Sequence, residues 1–343
     1  MISKTILHHG LLNPRALELY TRALQQAESA GDLRSQATSL GNIGLVQWHR
    51  GEYSSTVEPL ERALAIQRSI GDMKGLAITL NFAGLSYHRL GEYEKALSYH
   101  NESLKIKQSI TDYPAIPGSL NNIGEVYRDL GAIAKAVEYH QRGLTLAREQ
   151  RNPGAECDNL RDLAADYLEA GNLLSSESHI RQVLALAREK GLVWYETRAY
   201  IILGEIAAAT GDLENAVSYS QQAVRSAFDL NANELKIEAL WSRAIVVGLK
   251  GDSEESVRLL MQAIAIAESV GHRLFLWQMY ASLARQEAVL GRNQDAEGSL
   301  GTARTLLREG IARFNDTELR DLYLNSKKVK EILGSSASDA GVH

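Results

Sequence analysis

The sequence predicts an all-α solenoid of stacked helix hairpins, and three observations carry that prediction. Gly51, Gly91, Gly131, Gly171, Gly211, Gly251 and Gly291 recur at one interval of 40 residues, although the 343-residue chain has only 27 glycines. Such a fixed period is the mark of a repeat array. On either side of each glycine, apolar residues return every three and four positions, the period of a helix with one buried face. Prolines number only five (Pro14, Pro59, Pro114, Pro117 and Pro153), and strand-type alternation is scarce.

The elements follow in chain order. Residues 1–30 form a partial N-terminal repeat. Within them "LLNPRALELYTRALQQAESA" (11–30) reads as the second helix of a hairpin, with Ala16 and Ala23 in its small-residue slots. It is either a simplified cap or the continuation of a longer gene product. Seven blocks of 40 come next: 31–70, 71–110, 111–150, 151–190, 191–230, 231–270 and 271–310. In the first helix of each block (helix A) a large residue recurs as Leu40, Leu80, Leu120, Leu160, Tyr200, Leu240 and Tyr280. Four residues later stands a small one: Gly44, Gly84, Gly124, Ala164, Gly204, Ala244 and Ala284. Tyr87, Tyr127 and Tyr167 follow three further on, on the same helical face. The second helix (helix B) has its own small positions, among them Ala96, Ala136, Ala216 and Ala296.

The central glycine ends helix A, because the left-handed residue at C′ costs any side chain about 1–2 kcal/mol and glycine nothing. "SIGD", "SITD" and "EQRN" join one block to the next as turns with helix N-caps. Pro59 is expected to kink the second helix of the first block or delay its start. Residues 311–333 are expected to form one closing amphipathic helix, capped by Asn315 or Asp316, with 334–343 a disordered tail.

The stretch "NNIGEVYRDLGAIAKAVEYHQRGL" (121–144) resembles the tetratricopeptide repeat family, with small residue, tyrosine, glycine and alanine at that family's spacings. A period of 40 rather than 34 resembles the subclass of spindle-orientation adaptors, kinesin light chains and the repeat arms of bacterial signalling ATPases and regulators. The resemblance spans 31–310. It implies a right-handed superhelix whose helices A line a concave groove, and a non-catalytic scaffold holding a protein or peptide segment there. An alternative it leaves open is the ligand-sensing regulatory arm of a larger signalling ATPase or transcription activator.

Composition narrows the classes further. A net charge of −5 disfavours nucleic acid as partner, since phosphate contacts need a basic face. The start has no apolar signal segment, and the most apolar run, "YIILGEIAAA" (200–209), is too short to span a membrane, so a cytoplasmic protein without membrane contact is expected. The phosphate-cradling, dinucleotide and HExxH motifs are missing, so neither cofactor nor metal is expected. His100 and His140 read as packing residues and Cys157 as a half-buried structural thiol. Asp158, Asp162 and Glu169 read as a solvated face without a catalytic pair, and an enzyme is not expected.

The candidate site is the helix A stripe beside the core positions. It comprises Asn42, His49, Asn81, His88, Arg89, Asn121, Asn122, Arg128, Arg161 and, in the later repeats, Trp241. Asparagine offers donor and acceptor to the backbone of an extended peptide, and arginine or histidine pairs with its carboxylates. The competing reading is that these residues only solvate a helix face. The stripe turns apolar around Trp241 and Ile245, which suits a groove pocket, packing against the C-terminal helix, or self-association; the pocket is favoured. Alanine replacements along the stripe are expected to leave stability nearly unchanged, and contacts to run only between neighbouring repeats.

Overall fold

The structure, a computed structural model, describes residues 14–334. Seventeen α-helices and one short 3-10 turn, and no strand, occur among them. A lone helix α1 (Pro14–Ala30) precedes seven A/B pairs. The pairs are α2/α3 (Leu33–His49, Tyr53–Ile70), α4/α5 (Met73–Arg89, Tyr93–Ser109), α6/α7 (Ile116–Asp129, Ile133–Glu149) and α8/α9 (Pro153–Glu169, Leu173–Lys190). The remaining pairs are α10/α11 (Val193–Ala209, Leu213–Asp229), α12/α13 (Asn233–Leu249, Ser253–Ser269) and α14/α15 (Leu276–Val289, Asn293–Ile311). Two short helices close the chain, α16 (Thr317–Asn325) and α17 (Lys327–Gly334). Each helix packs on the next in sequence, the arrangement of an α-solenoid.

Local chemistry sets the helix ends. The seven glycines between A and B helices all have φ between 73° and 87°, where a Cβ would crowd the following carbonyl. The turns between blocks have the same left-handed residue, but Thr111, Arg151 and Asn231 hold it without glycine, at φ of 55°, 51° and 49°. Asp32, Asp72, Asn152, Asn172, Asp212 and Asp252 accept a backbone N–H three residues on, satisfying a donor that the first helical turn leaves free. Helix α3 starts at Tyr53 and continues through Pro59, so the late start expected there does not occur.

Packing within a hairpin pairs a small residue on A with a larger one on B. Gly124 faces the His140 ring, and a Cβ at 124 would overlap it. Gly84 and His100 repeat the arrangement, and both histidines are fully buried packing residues. Cys157, the one cysteine of the chain, is buried completely rather than by half.

Two expectations are corrected. The closing segment is two helices rather than one, because Ser326 breaks it with an extended backbone (ψ 143°) and its side chain lies against Gly131. Contacts also reach far beyond neighbouring repeats: the superhelix returns on itself. The Arg273 amide donates to the Arg89 carbonyl (3.0 Å), and Val270 lies against Gly51. Tyr87 and Tyr93 share one apolar core with Leu274, Trp277 and Tyr323. The expected tail 334–343 falls, apart from Gly334, outside the described residues, as do residues 1–13.

Candidate functional site

Helices α2, α4, α6, α8 and α12 carry the polar stripe along one wall, and four of its ten residues (His88, Arg89, Asn121 and Arg161) are buried. One network crosses α6 and α8. Arg128 donates to Asp162 (2.9 Å) and lies 3.5 Å from Asp166, while Arg161 pairs with Glu125 (2.8 Å) and Asp162 (2.5 Å). The Asn121 amide donates to the second Asp162 oxygen at 2.7 Å. Burial alone would raise the Asp162 carboxyl's pKa, but Arg161 and Arg128 reverse that and hold it well below the usual carboxylate range. The His140 ring faces Asp166 (2.6 Å) and the Asn121 carbonyl (3.2 Å), tying a helix B to this wall.

A second network joins distant repeats. Arg89 pairs with Glu234 at 2.6 Å, and Arg198 bridges Glu234 and Glu238 at 3.1 Å each. Arg89 also donates to His88 Nδ1 (3.3 Å), which leaves His88 Nε2 as donor to Asp129 (2.7 Å). Against the opposing effect of burial, Arg89 and Arg198 hold the Glu234 carboxyl low. Glu238 goes the other way: burial, aided by Glu234, raises it despite Arg198. Glu205 is pushed up to about 7 by burial and by Glu238.

The structure therefore brings His88, Arg89, Asn121, Arg128 and Arg161 together as members of buried networks, not as an open polar face. Asn122 donates to Asn81 across adjacent repeats (3.0 Å), and both remain partly exposed. Asn42 and His49 are also partly exposed, His49 edge-on to Trp48. Trp241 stands apart, its indole N–H donating to Ser282 (3.2 Å) and its ring beside Phe275, with Ile245 and Leu249 exposed nearby on α12. Asp162, expected on a solvated face, is buried because the two arginines compensate its desolvation; Glu169 is exposed as expected. Sequence reasoning missed Glu234 and Glu238 altogether. The signal available was their position one repeat after the Arg198 region on the same helix face. The seam where Leu90 meets Arg273 and Trp277 holds a cavity of only about 30 Å³, room for one water. No group of three or more metal-binding side chains occurs among the described residues, and no helix there is long and apolar enough to cross a membrane.

Comparison with known proteins fits this architecture. Tetratricopeptide repeat models match residues 57–109, 75–149, 115–189 and 197–229. No curated protein matches the chain by sequence. Among solved structures, aspartyl phosphate phosphatase F from Bacillus subtilis is similar over 82% of this chain and 73% of its own, at 14% identity and TM-score 0.62. The Rap conjugation gene regulator of plasmid pLS20, in complex with the Phr* peptide, covers 95% of this chain and 94% of its own, at 14% identity and TM-score 0.59. A signal transduction ATPase with numerous domains and a tetratricopeptide repeat sensor, from Pyrococcus horikoshii, covers 93% of this chain at 18% identity and TM-score 0.53. The chain spans about half of that ATPase, 49% of its length. These identities carry the fold and not the activity. With its 40-residue hairpins and the repeat models matched within residues 57–189 and 197–229, the chain belongs to the tetratricopeptide repeat family.

Proposed function

We propose that the chain is a non-catalytic scaffold that recognises an extended protein or peptide segment on its concave wall. One observation carries the reading. Asn81 and Asn122 pair across adjacent A helices (3.0 Å) and stay partly exposed, so their remaining amide groups can meet the backbone of an extended segment. Asn42, His49, Asn81 and Asn122 are the more open approach, and Trp241 with Ile245 the apolar one. The regulator that resembles this chain end to end is named for its complex with a peptide, which favours the same class of partner here. The setting we propose is the cytoplasm, and the partner is neither nucleic acid nor lipid.

Selection from a random peptide library on the immobilised chain tests the reading. Selected peptides should bind in the micromolar range and lose about tenfold or more with either Asn81→Ala/Asn122→Ala or Trp241→Ala, according to the half of the groove used. Selection of nothing beyond scrambled-sequence controls would overturn it. A second reading, a sensor arm of a larger signalling ATPase, is favoured by the match of nearly the whole chain to half of the Pyrococcus protein. It is tested by the reading frame around the gene.

A further inference from the structure

The joint between the sixth and seventh repeats is longer than the one before it. Helix α13 ends at Ser269 and α14 starts only at Leu276, whereas α11 ends at Asp229 and α12 starts at Asn233. This longer loop is where the late repeats meet the first two. Val270 lies against Gly51 and Ser54 against Gly271, and the Arg273 amide donates to the Arg89 carbonyl at 3.0 Å. Between these contacts stands His272, fully buried, its ring edge-on to Tyr53 of α3 at 5.6 Å and tilted on Phe275 at 5.8 Å.

His272 differs from the other histidines buried near the wall. His88 and His140 each face a carboxylate, Asp129 at 2.7 Å and Asp166 at 2.6 Å. No carboxylate lies in ion-pair distance of the His272 ring among the described residues. The charged and titratable groups around it are Arg89 and His88 from α4, Glu234 from α12 and Tyr53 from α3, with Arg273, paired to Glu309, on its own loop. Glu234 already pairs with Arg89 and Arg198, so a proton on His272 adds a further cation to a buried seam whose acid is taken.

We propose that this seam is an acid-released latch: His272 is uncharged while the first two repeats lie against the loop, and its protonation drives them apart. Burial, then Arg89, then His88 hold the ring down to about 3 against the pull of Glu234, while an exposed imidazole takes its proton near 6.5. The open form therefore binds a proton that the closed form refuses, and opening is favoured as pH falls from about 6.5 towards 3. Between pH 7 and 5 the opening constant should rise about twentyfold. Glu234 stays charged over this range, because Arg89 and Arg198 hold its carboxyl low against burial. Glu238, raised by burial, works in the opposite sense, so a variant at His272 is needed to isolate the histidine's share. The apolar core of Tyr93, Leu274 and Trp277 stays packed, since burial keeps the Tyr93 phenol protonated and nothing in it titrates here.

The release reaches the partly exposed end of the stripe. Tyr53 is in ring contact with Trp48 (6.3 Å), and Trp48 with His49 (5.1 Å) and with Phe82 (6.1 Å), the neighbour of Asn81. The latch itself stands apart from what the wall binds.

Amide exchange of the full chain tests this at Arg273, whose N–H is bonded across the seam. After correction for the intrinsic pH dependence of exchange, Arg273 protection should fall about tenfold or more from pH 7 to 5 in the wild type, while amides of α9, away from the seam, keep theirs. His272→Phe keeps a ring between Tyr53 and Phe275 but cannot take a proton, so protection there should change by less than about twofold. No fall in the wild type, or an equal fall in both chains, would sink the latch. Should the variant not fold, the imidazole resonances of the wild type decide. His272 should protonate only together with the loss of Arg273 protection, and protonation near pH 6.5 with that protection intact rules the latch out.

Discussion

Thr111, Arg151 and Asn231 stand in the left-handed turn that glycine fills at Gly31, Gly71, Gly191 and Gly271. The cost is greatest for Thr111, whose branched Cβ crowds the backbone, and least for Asn231, a residue that tolerates this region. Thr111→Gly should therefore stabilise the chain by about 1 kcal/mol, after allowing for glycine's looser unfolded state, while Asn231→Gly changes it by less than about 0.5 kcal/mol. Urea midpoints order the two; equal effects would mean the turn stores no such strain. Glu205 gives a pH-dependent case. Its carboxyl is pushed up to about 7 from an ordinary 4.5, so between these values the folded chain holds a proton that the unfolded chain has lost. Stability then falls as pH rises through that window, by up to about 3 kcal/mol. Glu205→Gln should match wild type near pH 4.5 and exceed it increasingly up to pH 7.5, as read from urea unfolding at each pH. Asp162 and Glu234 have the opposite sign: their carboxyls are held low, so their contribution is lost only as pH falls below about 4.

At the level of the helices and turns, Gly131 does one thing that its counterpart Gly91 does not: it leaves room for Ser326. Both have positive φ, 81° and 73°, but an added Cβ at 91 meets nothing within 4 Å, whereas at 131 it lands 2.5 Å from the Ser326 Cβ. Gly131→Ala should cost about 1 kcal/mol or more beyond Gly91→Ala, the excess being the displaced closing segment. Thermal melts of the two variants measure that excess, and equal melts would mean the segment yields freely. This contrast also shows what the sequence discloses. The helices, their caps and the seven mid-hairpin turns were legible because each is dictated by residues within a few positions of it. The break at Ser326 was not, because the residue it rests against is a glycine 195 residues away, and a period of 40 holds no trace of that pairing.

The same limit governs the molecule as a whole. The stripe of asparagine and arginine was legible as a register on successive A helices, but its burial was not. For Arg89 it comes from superhelical closure, which brings α12 and α14 to the second repeat, and for Asn121 and Arg161 from the network with the adjoining repeat. With closure, the expectation that alanine replacements along the stripe are nearly neutral no longer holds, nor does the picture of freely severable repeats. A chain cut after residue 190 leaves Arg89, Tyr87 and Tyr93 without Glu234, Leu274 and Tyr323, and its N-terminal repeats should be markedly less stable than in the whole protein. Coupling between Arg89 and Glu234 measures closure directly, since 145 residues separate them. Removing one partner of a buried pair strands the other, at about 3–5 kcal/mol. Glu234→Ala should cost more than Arg89→Ala, because it strands Arg89 and also weakens the hold on Arg198, whereas Arg89→Ala leaves Glu234 its pair with Arg198. Since Glu234 bonds both arginines, the Arg89→Ala/Glu234→Ala double variant should be less destabilised than the sum by roughly 1–3 kcal/mol in urea unfolding. A solenoid with contacts only between neighbouring repeats requires that difference to be zero.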